Sequence, residues 1–227
     1  MNLNLTTVEN LNEIVNKLMT TKGSIRYFFR ITVILLSLVS FDSSAQYPEA
    51  VTELDRKVLS FLKEQSGEWQ DMNVPVSDGR ILYDLVLEGR YRKALELGTS
   101  TGHSAIWIAW ALSKTGGKLV TIEIDKQRYL QALRNFRKAG LSEYIDARLG
   151  DAHELVPALE PGWDFVFCDA DKWWYKKYFI AMENKLVKGA CFAAHNTNFQ
   201  SSDIYEFKKY IQAHPQFITT YKTESRS

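Results

Sequence analysis

The 227-residue chain has two cysteines, no C-x-x-C pair and no Cys/His cluster. That excludes a disulfide framework and a thiolate zinc site, so any metal must be held by oxygen ligands, with at most a histidine added. Charge of one sign is also missing: 28 Lys and Arg stand against 27 Asp and Glu, a net +1. Nothing electrostatic favours nucleic acid, an anionic membrane or an acidic polymer, and recognition must be local. What is present, 45% apolar and 24% charged residues, excludes disorder. It suits one globular domain of about 150 to 200 residues plus a tail.

The tail is the N-terminus. Lys22, Arg26 and Arg30 precede the apolar run 31–39, and Ser43, Ser44 and Ala45 follow it before Gln46. This is the layout of a secretory signal, and the run is about half of the roughly 20 residues that a spanning helix needs. Residues 1–45 are therefore expected to be a signal peptide cleaved after Ala45, exporting the chain to the periplasm or the outside. An uncleaved anchor through residues 22–40, the only membrane contact expected, and a buried N-terminal helix are the alternatives.

From residue 46 on, short apolar runs alternate with amphipathic stretches. Residues 93–97, 118–123, 144–149, 163–169 and 189–195 read as strands. Residues 51–65, 77–87 (with Ser77 as N-cap), 104–113, 126–139, 173–186 and 203–213 read as helices. The alternation predicts a single α/β domain, 46–227, with a doubly wound, mostly parallel Rossmann-like sheet. Ligands would sit at the carboxyl ends of its strands.

Those ends carry the informative residues. After the first strand comes Glu96-Leu97-Gly98-Thr99-Ser100-Thr101-Gly102-His103-Ser104, a glycine turn feeding a helix whose N-terminus offers free N–H groups to an anion. The second strand ends at Glu123, 25 residues after Gly98, where an acid can accept from both hydroxyls of a ribose. The turn lacks the Gly-x-Gly-x-x-Gly spacing of a dinucleotide site, which favours S-adenosylmethionine, with a carboxylate and a ribose but no phosphate. A rival is a serine hydrolase, because Gly98-Thr99-Ser100-Thr101-Gly102 fits a nucleophile elbow and Asp169 and His195 follow in order. Against it, about fifty residues that read as helices precede the turn, leaving no strand loop for half of the oxyanion hole.

From about Glu64 to Tyr221 the chain resembles the cation-dependent O-methyltransferases typified by catechol and caffeoyl-CoA O-methyltransferases. The resemblance rests on Glu68-Trp69-Gln70-Asp71-Met72-Asn73-Val74, the glycine turn, Thr121-Ile122-Glu123, Gly150-Asp151-Ala152, Asp169-Ala170-Asp171-Lys172 with Tyr175 and Tyr178, and Ala194-His195-Asn196. It implies that Val74, Glu96, Gly98, Ser104, Glu123, Asp151, Ala152 and Asp169 line an S-adenosylmethionine site. Ser104 would hold the methionine carboxylate, Glu123 the ribose, and Asp151 with Ala152 the adenine edge. It further implies a divalent cation at Asp169, His195 and Asn196, binding two adjacent oxygens of a small catechol-like or phenolic acceptor. Lys172 would be the general base, its ammonium pKa drawn down from about 10.4 by metal and desolvation.

Two departures stand out. His195 occupies a position where the family usually has an aspartate. A neutral imidazole removes one negative charge, so preference should move from magnesium toward manganese, iron, cobalt or zinc, the alternatives being a magnesium site of reduced affinity or a site without functional metal. At the C-terminal end, the strand-like run 217–221 is followed by only six residues where family members add another antiparallel strand. Either the chain is truncated or its sheet ends early, and an uncovered edge would invite a homodimer. Cys168 and Cys191 should lie about 10 Å apart along neighbouring strands, too far to bridge, and remain free thiols. Trp173 and Trp174 would either wall the acceptor pocket or pack a helix on the sheet.

Overall fold

The computed structural model describes residues 47–222 except 68, 70 and 71. The expected signal or anchor therefore lies outside the described residues. No helix among the described residues is long and apolar enough to cross a membrane.

Among the described residues there are seven α-helices and five strands, alternating from the second helix on. Helix α1 (Glu53–Glu64) opens with a capping box: the Thr52 hydroxyl accepts from Asp55 N–H and the Asp55 carboxylate accepts from Thr52 N–H. Helix α2 (Val76–Gly89) starts after Pro75, whose fixed φ of −65° sets the chain entry. Ser77 is thus inside the helix rather than its cap. Then follow β1 (Lys93–Leu97), α3 (His103–Thr115), β2 (Lys118–Glu123), α4 (Lys126–Ala139), β3 (Ile145–Leu149), the one-turn α5 (Ala152–Leu155), β4 (Trp163–Cys168), α6 (Tyr175–Glu183), β5 (Leu186–Ala194) and α7 (Ser202–Gln212). The strands form one all-parallel sheet in the order β3-β2-β1-β4-β5.

Alternation along the strands assigns side chains to two layers. Ala94, Phe165 and Phe167 face α1 to α4, whereas Leu95, Leu97, Val166 and Cys168 face α6 and α7. Helix α3 is buried from His103 to Leu112, because the sheet, α1 and α2 cover it all round. Its polar tie to α1 is Asp55, 1% exposed, which accepts from Trp110 Nε1 at 2.7 Å and pairs with Lys114. Burial alone would raise the Asp55 pKa. The Lys114 and Trp110 hydrogen bonds outweigh it and hold the carboxyl well below the usual range.

Two boundaries depart from expectation for physical reasons. Strand β5 begins three residues early, at Leu186, and absorbs a register irregularity opposite Trp163 and Phe165. Residues 217–221 form no strand: Phe217 packs on the Phe179 ring at 5.0 Å and the Tyr221 hydroxyl accepts from Gln212 at 2.7 Å, while Ile218 is 94% exposed. Cys191 pairs in register with Phe165, three residues from Cys168, and both thiols are free.

Candidate active site

The turn after β1 is shaped by contacts within the chain. Gly98 (φ 89°) packs so closely that a Cβ there would lie 2.6 Å from the Asp169 carbonyl oxygen. Gly102 (φ 98°) would drive a Cβ to 2.5 Å from the Phe136 ring. Both positions need glycine for conformation and for close approach. Between them, Ser100 donates its N–H to Glu123 Oε2 at 2.7 Å, and Asp125 N–H donates to Oε1 at 2.9 Å. Glu123 therefore binds the turn to the tip of β2, with lone pairs left for a ligand hydroxyl.

Beneath the turn lies Glu96, fully buried beside Ser104 in the first turn of α3. Its Oε2 accepts from the Thr121 hydroxyl at 2.5 Å, while Oε1 is buried with no hydrogen-bond partner among the described residues. Burial pushes its pKa up to about 8 against the Ser104 and Thr121 hydroxyls, and the charges of Asp169 and Glu123 add to the rise. Val74 closes this end. Its carbonyl lies 2.7 Å from His103 Nδ1, whose Nε2 accepts from Trp107 at 3.0 Å. Burial drives the His103 pKa down to about 4, so the ring is neutral and its tautomer fixed. At the tip of β3, Asp151 caps α5 by accepting from His153 N–H, and Ala152 is buried beside it.

The tips of β4 and β5 form the second half. Asp169 N–H donates to Leu97 O and His195 N–H to Cys168 O, extending the ladders one residue past each strand. Asp169 Oδ1 lies 3.2 Å from Lys172 Nζ, and Oδ2 lies 3.2 Å from His195 Nδ1. His195 Nε2 is 2.8 Å from Asp78 Oδ2 on α2. Burial would lower the His195 pKa; the carboxylates of Asp169 and Asp78 outweigh it and push it up to about 9. Asn196 follows in the left-handed region (φ 51°), which asparagine tolerates. Tyr175 donates its hydroxyl to the His195 carbonyl at 3.1 Å, pinning α6 to this tip.

A sequence profile of the O-methyltransferase family matches residues 42–216. The chain belongs to the O-methyltransferase family. It is an S-adenosylmethionine-dependent enzyme. It is 38% identical over 112 residues to a catechol O-methyltransferase of Niastella koreensis, covering 48% of this chain and spanning half the length of that relative. A caffeoyl-CoA O-methyltransferase of Medicago sativa is 26% identical over 80% of this chain and 79% of its own length. Among solved structures, the Bacillus cereus O-methyltransferase in complex with S-adenosylhomocysteine superimposes with a TM-score of 0.63 at 27% identity, covering 76% of this chain and 84% of that one.

This O-methyltransferase brings together the residues singled out by motif: Glu96, Gly98, Ser104, Glu123 and Val74 around the β1–α3 turn, with Asp169, Lys172, His195 and Asn196 at the next two tips. The hydrolase reading fails. Both His195 nitrogens face carboxylates rather than Ser100, whose N–H is committed to Glu123. Asp78 and His103 were not anticipated. The Gly-His-Ser sequence at a helix start was a usable signal for His103, whereas nothing local links Asp78 to a histidine 117 residues away. The tryptophans divide: Trp174 stacks on His153 at 3.9 Å, and Trp173 is 65% exposed.

No group of three or more His, Cys, Asp or Glu side chains able to hold a metal is assembled among the described residues. A mixed donor set nevertheless fits. His195 Nδ1 is buried without a hydrogen-bond partner among the described residues and faces Asp169 Oδ2 at 3.2 Å. One imidazole nitrogen and one carboxylate oxygen at that spacing suit a borderline divalent ion better than magnesium.

Proposed function

We propose that this enzyme transfers the methyl group of S-adenosylmethionine to one hydroxyl of a small catechol-like or phenolic acceptor, with a divalent cation held by Asp169, His195 and Asn196. The observation that carries the reading is the shared wall between the two halves. The backbone of Asp169 is bonded to Leu97 and packed on Gly98, so the group facing the acceptor touches the turn facing the donor.

Glu96, with one buried oxygen unpartnered, receives the ammonium of the methionine moiety, and Ser104 with the N-terminus of α3 receives its carboxylate. Glu123 takes the ribose hydroxyls; Asp151 and Ala152 border the adenine. A cation held by Asp169, His195 and Asn196 would supply charge neutralisation to the acceptor oxygen, and the imidazole in their donor set favours manganese, iron, cobalt or zinc over magnesium. Lys172 accepts the proton of the reacting hydroxyl. The oxygen then forms a bond to the methyl carbon as the carbon–sulfur bond breaks, giving a methyl ether and S-adenosylhomocysteine. Acceleration comes from holding oxygen, methyl and sulfur in line in a site closed to water.

The test is turnover of S-adenosylmethionine with catechol in magnesium, manganese, cobalt or zinc. Methyl ether formed in manganese or cobalt above magnesium supports the reading. Donor binding without methyl transfer under any cation would leave a nucleoside-binding protein instead. Export rests on the basic, apolar and small-residue order of residues 22–45, and N-terminal sequencing of protein recovered outside the cytoplasm should begin at Gln46.

A further inference from the structure

We propose that Asp78 is the positioning residue that turns His195 into a cation ligand, forming a carboxylate–imidazole–cation relay from α2 to the tip of β5. This rests on the cation reading above. A histidine ligates well only when its other nitrogen is anchored, because that bond fixes the ring and raises the basicity of the free lone pair. The geometry meets this condition from both sides. At Nε2, Asp78 Oδ2 accepts at 2.8 Å, with the two side chains 4% and 11% exposed. At Nδ1, the ring has no hydrogen-bond partner among the described residues, and Asp169 Oδ2 stands 3.2 Å away.

The anchor is itself fixed. Asp78 lies in the first turn of α2, where the helix N-terminus favours a negative charge, and the Ser77 hydroxyl reaches its Oδ1 at 3.1 Å. The histidine backbone is held by Cys168 O and by Tyr175 Oη, and the edge of Phe167 meets its ring at 6.1 Å. A ring restrained on so many sides has one productive nitrogen left. Asp78 also returns, one hydrogen bond removed, the negative charge that an imidazole in place of a carboxylate withholds from the site. Its proposed role is exercised through His195.

The test is calorimetric titration of the full chain with manganese and cobalt chlorides, the cobalt also followed by its visible absorption. Circular dichroism and S-adenosylhomocysteine affinity serve as checks on folding. Asp78→Asn should weaken both cations by about 10- to 100-fold and alter the cobalt spectrum, while S-adenosylhomocysteine affinity stays within about twofold. Asp78→Glu, which keeps the charge but displaces the oxygen, should also weaken them and serves if Asp78→Asn does not fold. In a His195→Asp background, where there is no imidazole to orient, Asp78→Asn should no longer weaken binding, an outcome that a merely structural role would not produce. Equal cation affinity in the unaltered chain and both Asp78 variants overturns the relay alone. Failure of the unaltered chain to bind either cation overturns the relay together with the cation reading.

Discussion

At the tips of β1, β2 and β3 the carboxylates are met chiefly by uncharged donors: Glu96 by the Thr121 hydroxyl, Glu123 by two backbone N–H groups, Asp151 by the N–H of His153. At the tips of β4 and β5 they are met by nitrogen-bearing side chains, with Asp169 between Lys172 and His195, and His195 between Asp169 and Asp78. Backbone and hydroxyl donors hold an acid in place across a wide range of pH and salt, so the donor half is built in advance. Charged partners compete with any incoming cation, so the reaction half is exchangeable. One sheet thus carries a rigid recognition surface beside an adjustable chemical one.

The strongest way to break this contrast is at Asp169, the residue common to both halves. Asp169→Asn should lower turnover by about 10²- to 10³-fold, with a far smaller loss of S-adenosylhomocysteine affinity; steady-state kinetics beside calorimetry checks it. Comparable losses in both would mean that the halves are not separable. Next comes Glu123→Gln, which removes charge-assisted bonds worth about 1.5 to 3 kcal/mol each. It should weaken donor binding by about 10- to 100-fold while leaving kcat at saturating donor nearly unchanged. Gly98→Ala forces a Cβ against the Asp169 carbonyl at a left-handed φ and should destabilise the fold by about 1 to 3 kcal/mol, read by urea denaturation. If it is neutral, the turn is softer than its contacts imply.

His195→Asp probes the adjustable half by exchanging imidazole for carboxylate. Activity supported by magnesium should rise several-fold relative to manganese, measured as the ratio of initial rates. The last test concerns Glu96, and it is read as a slope against pH rather than as a loss of function. Its pKa is raised from 4.5 to about 8 in the folded protein, so the folded state keeps a proton that the unfolded chain releases. Stability should therefore fall as pH rises between those values, by at most about 1.4 kcal/mol per pH unit, and level off above them. Glu96→Gln should remove that slope in denaturation curves at pH 5 and pH 8.

The sheet could be read from sequence because its inner strands β1, β2 and β4 are largely buried and read as mostly apolar runs between helical patterns, with the half-exposed edge strands β3 and β5 continuing the alternation. The donor half was legible for a related reason: its residues sit in contiguous motifs, Glu96 to Ser104 and Thr121 to Glu123, where strand ends dictate placement. Its inner logic was less visible. Gly98 reads as a ligand-approach glycine, yet its first obligation is to the backbone of Asp169. The reaction half was legible only along the chain. Asp169, Lys172 and His195 follow strands, but Asp78 belongs to a helix that reaches β5 only through packing, a relation that periodicity cannot carry. Residues 217–221 misled for the opposite reason: their composition suits a strand, but a strand exists only when a neighbour supplies its ladder, and none does among the described residues.

The fit of Gly98 against the Asp169 carbonyl also has a thermodynamic side. A methyl donor settling on the turn presses on the same peptide that aims the acidic side chain at the neighbouring tip, so loading one compartment must be felt in the other. Reciprocity then requires that whatever factor the donor adds to the affinity of the proposed cation, that cation adds to donor affinity, a coupling carried by one crowded peptide contact.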